Sequence, residues 1–415
     1  MPGSVRNLSL DEDLPSKPDN SGSSAGMAGI DPVIASEKWA EECRHVLKSP
    51  GAYEWWTFDA VNHAGDGIVC AFFDGLPFHP TYRTQENRYV HRMGKSPFDP
   101  LWPEAQASNY PAVYVAVYQG GQRIAQFLNQ YPPGSAEGAA DVPEIRIGPN
   151  RMTLRADGSF GITLRGYPFE VVRGTPRARM DQILSASLTF TPSASGVQHV
   201  RPFRHDGPGG AKHTWVLSSP HGRMTGAVQV IEQREATAVA DLRINANGYH
   251  DHIIGHGGLA QGLSKLIWGH VVGDEWTIAF SHHLAPSKGE ENTCALMLFE
   301  NGQRPLIIDE PSSRIARHQY TRWGMRYPPK ITLHGANTSG VPVECVIDVE
   351  QLVEATPFHT RAQILATMTV PGRNKYVGRG HVLLANLTRL RWPLLSDLVL
   401  MAITPVSADD PVWRQ

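Results

Sequence analysis

Glycine and proline interrupt this chain so often that they limit the folds open to it. The 415 residues include 39 glycines and 32 prolines. Between them lie short runs of β-branched and aromatic residues, such as GIVCAFFD from Gly67 and ILSASLTF from Ile183. Such runs between turn residues are typical of strands. No ten-residue helical pattern alternates with them, which disfavours a parallel βαβ fold. The pattern predicts an all-β fold of two consecutive antiparallel barrels or sandwiches with a short N-terminal helix.

A hairpin illustrates the strand signal. In the segment RMTLRADGSFGITLRG, Met152 and Leu154 alternate with polar residues, and Phe160 and Ile162 alternate again after the Asp157-Gly158 step. Because glycine accepts the positive φ angle of a tight turn, this pattern predicts two paired strands.

Shifts in composition predict four segments. Residues 1–30 are rich in Ser, Gly, Asp and Pro and are expected to be a disordered tail. Residues 31–48 place apolar groups at helical spacing and predict a short helix. Residues 49–205 and 206–415 are expected to form an N-terminal and a C-terminal β domain, joined by the turn-rich bridge His205 to Lys212.

The charge balance excludes some partners. There are 38 Lys and Arg residues against 40 Asp and Glu residues, a net charge of −2. This balance argues against nucleic acid and against a polybasic membrane anchor. No run of about 18 apolar residues could span a membrane, no secretory signal is recognisable, and the four cysteines form no CxxC pair. A cytoplasmic protein with reduced thiols is the expectation.

Common catalytic motifs are missing from the sequence. It has no GxGxxG after a strand, no P-loop, no GxSxG and no HExxH. Dinucleotide, ATP and serine-hydrolase mechanisms therefore lack their usual sequence support.

The densest functional cluster is NGYHDHIIGHGG, residues 247–258. On a strand, Tyr249, Asp251 and Ile253 share one face, and His250 and His252 share the other. Burial raises the pKa of an aspartic acid, so Asp251 beside Tyr249 could act as a general acid. A charge-paired structural carboxylate is the alternative for Asp251.

The second face raises the question of a metal. His250 and His252 form an HxH pair, but a metal needs further ligands. Candidates with no compelling spacing are His256, His270, His282, His283 and Glu275. Hydrogen-bonded structural histidines are the simpler interpretation, and no metal ligand is assigned.

Two shorter segments are candidates for ligand contact. YEWWTFDA, residues 53–60, puts four aromatic and two acidic residues within seven positions, enough to bind an apolar or polyene ligand or to fill a core. HTW, residues 213–215, places His213 and Trp215 on one strand face. The substrate-binding candidates are Glu54, Trp55, Trp56, Asp59, His250, His252 and Trp268.

These segments carry a family resemblance. YEWWTFDA, PAVYVAVY, HTW and GYHDHIIG, followed by Trp268-Gly269, resemble the carotenoid 1,2-hydratase (hydroxyneurosporene synthase) superfamily in content and order. That superfamily includes lipocalin-like two-barrel proteins and fungal Diels–Alderases. The resemblance extends over roughly residues 50–400. It implies two lipocalin-like barrels, an apolar ligand cavity and no required cofactor.

The resemblance also implies catalytic roles. Asp251 would protonate an alkene, Tyr249 and His213 would orient the acid or a water molecule, and Trp215 would stabilise the cation through its π face. The sequence departs from the family pattern at His250 and His252, which could tune the cavity for a more polar substrate or hold a metal.

The expected partner is an apolar small molecule, and four hypotheses follow for the function of the protein. The favoured one is a cofactor-independent enzyme that hydrates, cyclises or isomerises a polyene, isoprenoid or related natural-product intermediate. The second is a pericyclase that preorganises its substrate. The third is a non-catalytic lipocalin-like carrier, and the fourth is a metal-dependent β-barrel enzyme using His250 and His252.

Overall fold

The computed structural model describes residues 39–93, 103–172, 175–193, 203–207, 210–285, 292–309, 311–315, 317–337, 339–407 and 410. The predicted tail and residues 31–38 of the predicted helix lie outside these ranges. The described remainder of that helix is a 3₁₀ turn at Ala40–Glu42. Residues 44–48 that follow are not helical.

The protein is all-β, as predicted. The first fourteen strands are β1 Tyr53–Val61, β2 Gly67–Asp74, β3 Ala112–Gln119, β4 Gln122–Gln130, β5 Ala136–Glu137, β6 Glu144–Ile147, β7 Asn150–Leu154, β8 Phe160–Gly166, β9 Phe169–Val172, β10 Thr175–Ala178, β11 Gln182–Pro192, β12 Phe203–Asp206, β13 Lys212–Glu232 and β14 Thr237–His256. The others are β15 Lys265–Val272, β16 Trp276–Leu284, β17 Thr293–Glu300, β18 Leu306–Asp309, β19 Ser312–Ile315, β20 Gln319–Tyr320, β21 Arg326–Tyr327, β22 Lys330–Ala336, β23 Pro342–Ala355, β24 His359–Thr369, β25 Tyr376–Asn386 and β26 Thr404–Pro405.

Two large sheets contain most of these strands. The first has thirteen strands in the order β26-β4-β3-β2-β1-β14-β13-β11-β8-β7-β6-β5, with β12 added beside β13. The second has nine, in the order β18-β17-β16-β15-β25-β24-β23-β22-β19. Strands β9–β10 and β20–β21 form separate pairs. Neighbouring strands are antiparallel, apart from the short parallel pair β26–β4.

After β14 the chain passes from the first sheet to the second. This point lies beyond the domain boundary expected at 205/206. The predicted bridge, His205 to Lys212, joins β12 to β13 within the first sheet, where His205 pairs with His213. The long hairpin β13–β14 therefore belongs with the N-terminal strands. The division into domains at 205/206 stays a prediction.

The hairpin predicted at Asp157-Gly158 is confirmed. Strands β7 and β8 pair with Met152 opposite Ile162. Gly158 has a φ of 79°, the left-handed conformation that the turn requires of it.

Helices are few in the described chain. They are α1 Pro80–Met93, α2 Leu259–Gly262 and α3 Pro393–Ala402, with 3₁₀ turns at Pro103–Ala105, Ala107–Asn109 and Leu387–Arg391. Helix α1 was not among the elements predicted from the sequence, although a proline at the first helical position is a known start signal. No described helix is long and apolar enough to cross a membrane.

Strand β1 is buried on both faces. Trp56 and Phe58 pack into one hydrophobic core together with Phe160 and Phe190. Trp55 packs into a second core that also contains Trp215, Tyr249 and Trp268. Because side chains alternate along a strand, β1 and its partner β14 separate these two cores and present different residues to each.

Candidate active site

Strand pairing brings the three candidate segments together. Thr57 of β1 lies opposite Asp251 of β14, and Trp215 of β13 lies opposite Ile253 of β14. Alternation then puts Trp55, Asp251 and Trp215 in one core. The sequence could predict the faces, but the adjacency of β1, β14 and β13 required the structure.

Asp251 is fully buried at the centre of this arrangement. Its Oδ2 accepts hydrogen bonds from Trp215 Nε1 at 2.8 Å and from the Tyr249 hydroxyl at 3.0 Å. Its Oδ1 is also buried and has no hydrogen-bond partner among the described residues. One carboxyl oxygen is thus anchored and the other is free to hold a proton.

The surroundings favour the protonated form of Asp251. Burial raises its pKa to about 6, although the hydrogen bonds from Trp215 and Tyr249 act in the opposite direction. The ring of Tyr249 stacks on His270 at a centroid distance of 4.1 Å and meets Trp268 edge-on at 5.9 Å. These ring contacts fix the hydroxyl that binds the acid.

Two neutral imidazoles, His213 and His283, line the same cavity. Burial, and then the charge of His205, lower the pKa of His213 to about 3. Burial and neighbouring histidines likewise keep the pKa of His283 well below its usual value. The two rings meet edge-on at 4.8 Å. His213 Nδ1 bonds to the Tyr53 hydroxyl at 2.8 Å, so the site contains proton acceptors as well as an acid.

A cavity of about 240 Å³ lies between the two sheets. Of the predicted site residues, Trp55, His213, Trp215 and Trp268 line it. Asp251 and Tyr249 are not part of the lining.

Asp251 nevertheless lies directly behind the cavity wall. Its strand neighbours Thr57 and Ile253 and its bonding partner Trp215 all line the cavity. The acid therefore lies one layer of side chains away from the space that a ligand would occupy.

Four predicted substrate-binding residues lie on the opposite face of the sheet: Glu54, Trp56, His250 and His252. His252 Nε2 lies 2.9 Å from Glu54 Oε1, and His250 Nε2 lies 2.8 Å from Glu42 Oε1. Trp56 stacks on His252 at 4.5 Å. None of the four lines the cavity, because alternation along β1 and β14 turns them away from it. On this face the four residues do not contact the cavity, so the structure gives no support to a substrate-binding role for them or to a tuning role for the two histidines.

Asp59 lies on the cavity face but outside the cavity lining. Its carboxylate pairs with Arg361 and lies 3.3 Å from His270 Nε2. Burial disfavours its charge, but Arg361 and then the histidines outweigh burial and hold its pKa well below the usual range. Asp59 is a paired carboxylate that positions Arg361, which does line the cavity.

One group of described residues could hold a metal ion. Ligand atoms of His45, Glu54 and His252 lie within 4.8 Å of one another. This group includes only one of the HxH histidines. It lies on the sheet face away from the cavity, so an ion there would not touch a cavity ligand.

Sequence reasoning missed several residues of the site. Tyr53 was in the quoted motif, and its position two residues before Trp55 was the available signal. His283 was considered only as a metal candidate. Arg361 and Glu354 come from β24 and β23 of the second sheet, and no sequence signal tied them to the first.

Comparison with known proteins identifies a relative. The chain is 23% identical over 342 residues to hydroxyneurosporene dehydrogenase of Chlorobaculum tepidum, covering 80% of this chain and 81% of that protein. No family model matches the sequence.

Solved structures similar to this chain have low sequence identity to it. A Nitrosomonas europaea protein described as AttH has a TM-score of 0.50 and 14% identity, with 81% of this chain and 93% of that chain covered. Kievitone hydratase from Nectria haematococca has a TM-score of 0.47 and 12% identity, with 83% of this chain and 93% of that chain covered. CghA bound to Sch210972 has a TM-score of 0.49 and 11% identity, with 83% of this chain and 94% of that chain covered.

The fold and the site define a lipocalin-like all-β protein with a buried acid beside an apolar cavity. The resemblance to the carotenoid 1,2-hydratase (hydroxyneurosporene synthase)-like superfamily, drawn from the sequence, is confirmed by this relative.

Proposed function

We propose that this protein is an enzyme that protonates an alkene of an apolar isoprenoid, polyene or related natural-product intermediate, and so hydrates, cyclises or isomerises it. One observation carries the proposal. Asp251 is buried behind the cavity wall, with one oxygen anchored by Trp215 and Tyr249 and the other without a partner among the described residues. The named relative, hydroxyneurosporene dehydrogenase, also supports an enzyme.

The proposed reaction needs only the substrate, water and protein side chains, and its protons and electron pairs balance. The wall side chains Thr57 and Ile253, which separate Asp251 from the cavity, shift to admit the alkene to the acid. Asp251 then transfers its proton to the less substituted alkene carbon, and the π electrons form the new C–H bond, leaving a tertiary cation. Water or an internal nucleophile then adds to the cation and loses a proton, or a neighbouring carbon loses one directly. His213 and His283 are neutral and can accept that proton. Trp215, Trp55 and Trp268 line the cavity, where their π faces stabilise the cation.

Deuterium uptake tests the proposal. The protein is incubated in D₂O with a panel of prenyl-bearing alkenes, and new C–D bonds are detected by mass spectrometry. We expect uptake with the wild type and a loss of about 100- to 10,000-fold in Asp251→Asn, the usual range for a general acid. Asp348→Asn on β23, a half-exposed residue paired with Lys330 at the surface, is the matched control and should retain full uptake.

The same experiment separates the pericyclase and carrier hypotheses. A pericyclase would form product without C–D bonds, and changes at Trp55 or Trp215 would then cost more rate than Asp251→Asn. A carrier would return every alkene unchanged. Undiminished uptake in Asp251→Asn contradicts the acid role, and no uptake with any alkene contradicts the substrate class.

A further inference from the structure

One part of the cavity wall differs from the mostly apolar lining elsewhere. Here the wall is polar, and we call this group the polar end: Tyr114, Arg123, Gln126, Glu354, His359 and Arg361. Strands β3 and β4 of the first sheet and β23 and β24 of the second supply most of it. Nothing in the proposed proton transfer uses these residues.

Buried carboxylates balance the charges of Arg123 and Arg361 at the polar end. The Tyr114 hydroxyl donates to Glu354 Oε2 at 3.0 Å, and Arg123 Nη1 lies 3.2 Å from Glu354 Oε1. Arg361 pairs with Asp59. Arg123 and Arg361 thus have one carboxylate each, so neither offers an uncompensated positive charge to an anion.

Three buried polar atoms at this end have no hydrogen-bond partner among the described residues: Arg361 Nε, Gln126 Oε1 and Arg123 Nη1. Arg123 Nη1 has the nearby carboxylate of Glu354, which leaves Arg361 Nε, a donor, and Gln126 Oε1, an acceptor, without a charged or polar partner. Arg361 and Gln126 are each only 5% exposed. A buried polar atom without a partner destabilises the folded protein, so such atoms in a cavity wall are expected to find partners in a bound ligand.

We propose that the polar end is a binding subsite for a neutral hydrogen-bonding group of the substrate, such as a hydroxyl or an amide. That group accepts a hydrogen bond from Arg361 Nε and donates one to Gln126 Oε1, while the apolar body of the substrate extends toward Trp55 and Trp268. The proposal rests on the function proposed above, because it concerns the same cavity. It narrows the substrate to an oxygen- or nitrogen-bearing alkene rather than a pure hydrocarbon or a carboxylate.

Three probes with the same carbon body test this subsite. Farnesene is a hydrocarbon, farnesol carries a neutral hydroxyl, and farnesoic acid is an anion at neutral pH. Binding is followed by quenching of tryptophan fluorescence, since four tryptophans line the cavity. We expect farnesol to bind about tenfold more tightly than either other probe, the effect of roughly one well-placed hydrogen bond.

Two variants each remove one of the proposed hydrogen-bonding atoms and leave the ion pairs of the polar end in place. Gln126→Leu removes the acceptor, and Arg361→Lys keeps a cation for Asp59 but removes the Nε donor. Each should reduce the preference for farnesol over farnesene to about twofold or less. Gln122→Leu, an exposed position on the same strand, is the matched control and should keep the full preference.

Each outcome is decisive. Equal binding of farnesene and farnesol, tightest binding of farnesoic acid, or no binding of any probe overturns the subsite. A preference for farnesol that survives in both variants assigns the hydroxyl elsewhere and overturns it too. If the subsite fails while Asp251→Asn still abolishes deuterium uptake, the proposed function stands. If the preference holds while Asp251→Asn keeps its uptake, the acid role fails and the subsite stands.

Discussion

The two faces of the β1–β14 pair shift the pKa of a buried carboxyl group in opposite directions. On the cavity face, two neutral donors, Trp215 and Tyr249, hold Asp251, and burial raises its pKa to about 6. On the other face, Glu54 Oε1 lies 2.9 Å from His252 Nε2 and 2.7 Å from His45 Nδ1. Burial disfavours the charge of Glu54 as well, but the hydrogen bonds from His252 and His45 outweigh it and lower its pKa.

The difference shows that partner type decides the state of a buried acid. Both residues are 0% exposed, so burial alone does not separate them. A partner that can become a cation keeps Glu54 ionised, whereas donors that stay neutral leave Asp251 able to hold its proton. The cavity face therefore provides an acid for chemistry, and the opposite face provides an ion-paired network for stability.

The largest expected effect is on the stability face. Glu54→Gln removes the charge that pairs with buried His252 and should lower the free energy of unfolding by about 4 kcal/mol, as for other broken buried pairs. Urea unfolding at neutral pH measures it. Turnover per folded molecule should not change.

A surface pair of the same type is the control. Glu344→Gln removes a carboxylate 3.4 Å from His334, where both side chains are about half exposed, and should cost less than about 1 kcal/mol. Equal losses in the two variants would contradict the ion-paired interpretation of Glu54.

Asp251→Asn should gain stability relative to wild type as the pH rises to neutral, in contrast to the loss expected for Glu54→Gln. The pKa of Asp251 rises from its ordinary value of 3.8 to about 6 in the folded protein. Its protonated form therefore favours folding at low pH, and this stability is lost as the pH rises from about 4 to about 6. The asparagine does not titrate.

The stability of Asp251→Asn relative to wild type should thus increase by about 2 kcal/mol between about pH 4.5 and about pH 8. Urea unfolding at both values measures the change, and the intrinsic effect of the amide cancels in the difference. A pH-independent difference would show that the pKa of Asp251 is not raised.

The fold was predictable from local patterns, and the site only in part. Alternation along each strand correctly put Tyr249 with Asp251 and His213 with Trp215. Bringing Trp55, Asp251 and Trp215 into one core required the pairing of the strands. The same alternation placed His250 and His252 on another face, but it did not tell which face meets the cavity. That depends on how the second sheet packs, which long-range contacts determine. For the same reason the polar end around Arg361 left no sequence signal.

The pH dependence of kcat/KM should show a smaller effect, which tests whether Asp251 acts in its protonated form. A proton donor must be protonated, so kcat/KM should be constant up to about pH 6 and then fall about tenfold per pH unit. His213 has a pKa of about 3 and is already neutral, so no acid limb should appear between about pH 4 and about pH 6. A rate that rises at higher pH would instead indicate a general base.

The smallest effect concerns the positioning of His213. Tyr53→Phe removes the hydroxyl 2.8 Å from His213 Nδ1, leaving a buried imidazole nitrogen without a partner, and should lower stability by about 1 kcal/mol. Because His213 is expected to accept a proton after Asp251 has donated one, kcat should fall several-fold while KM changes little. Tyr131→Phe is the matched control, since it also removes a buried hydroxyl, one that lies 2.7 Å from Asn150 Nδ2 in the other core. A loss of kcat in both variants would mean that the effect follows stability rather than the orientation of His213.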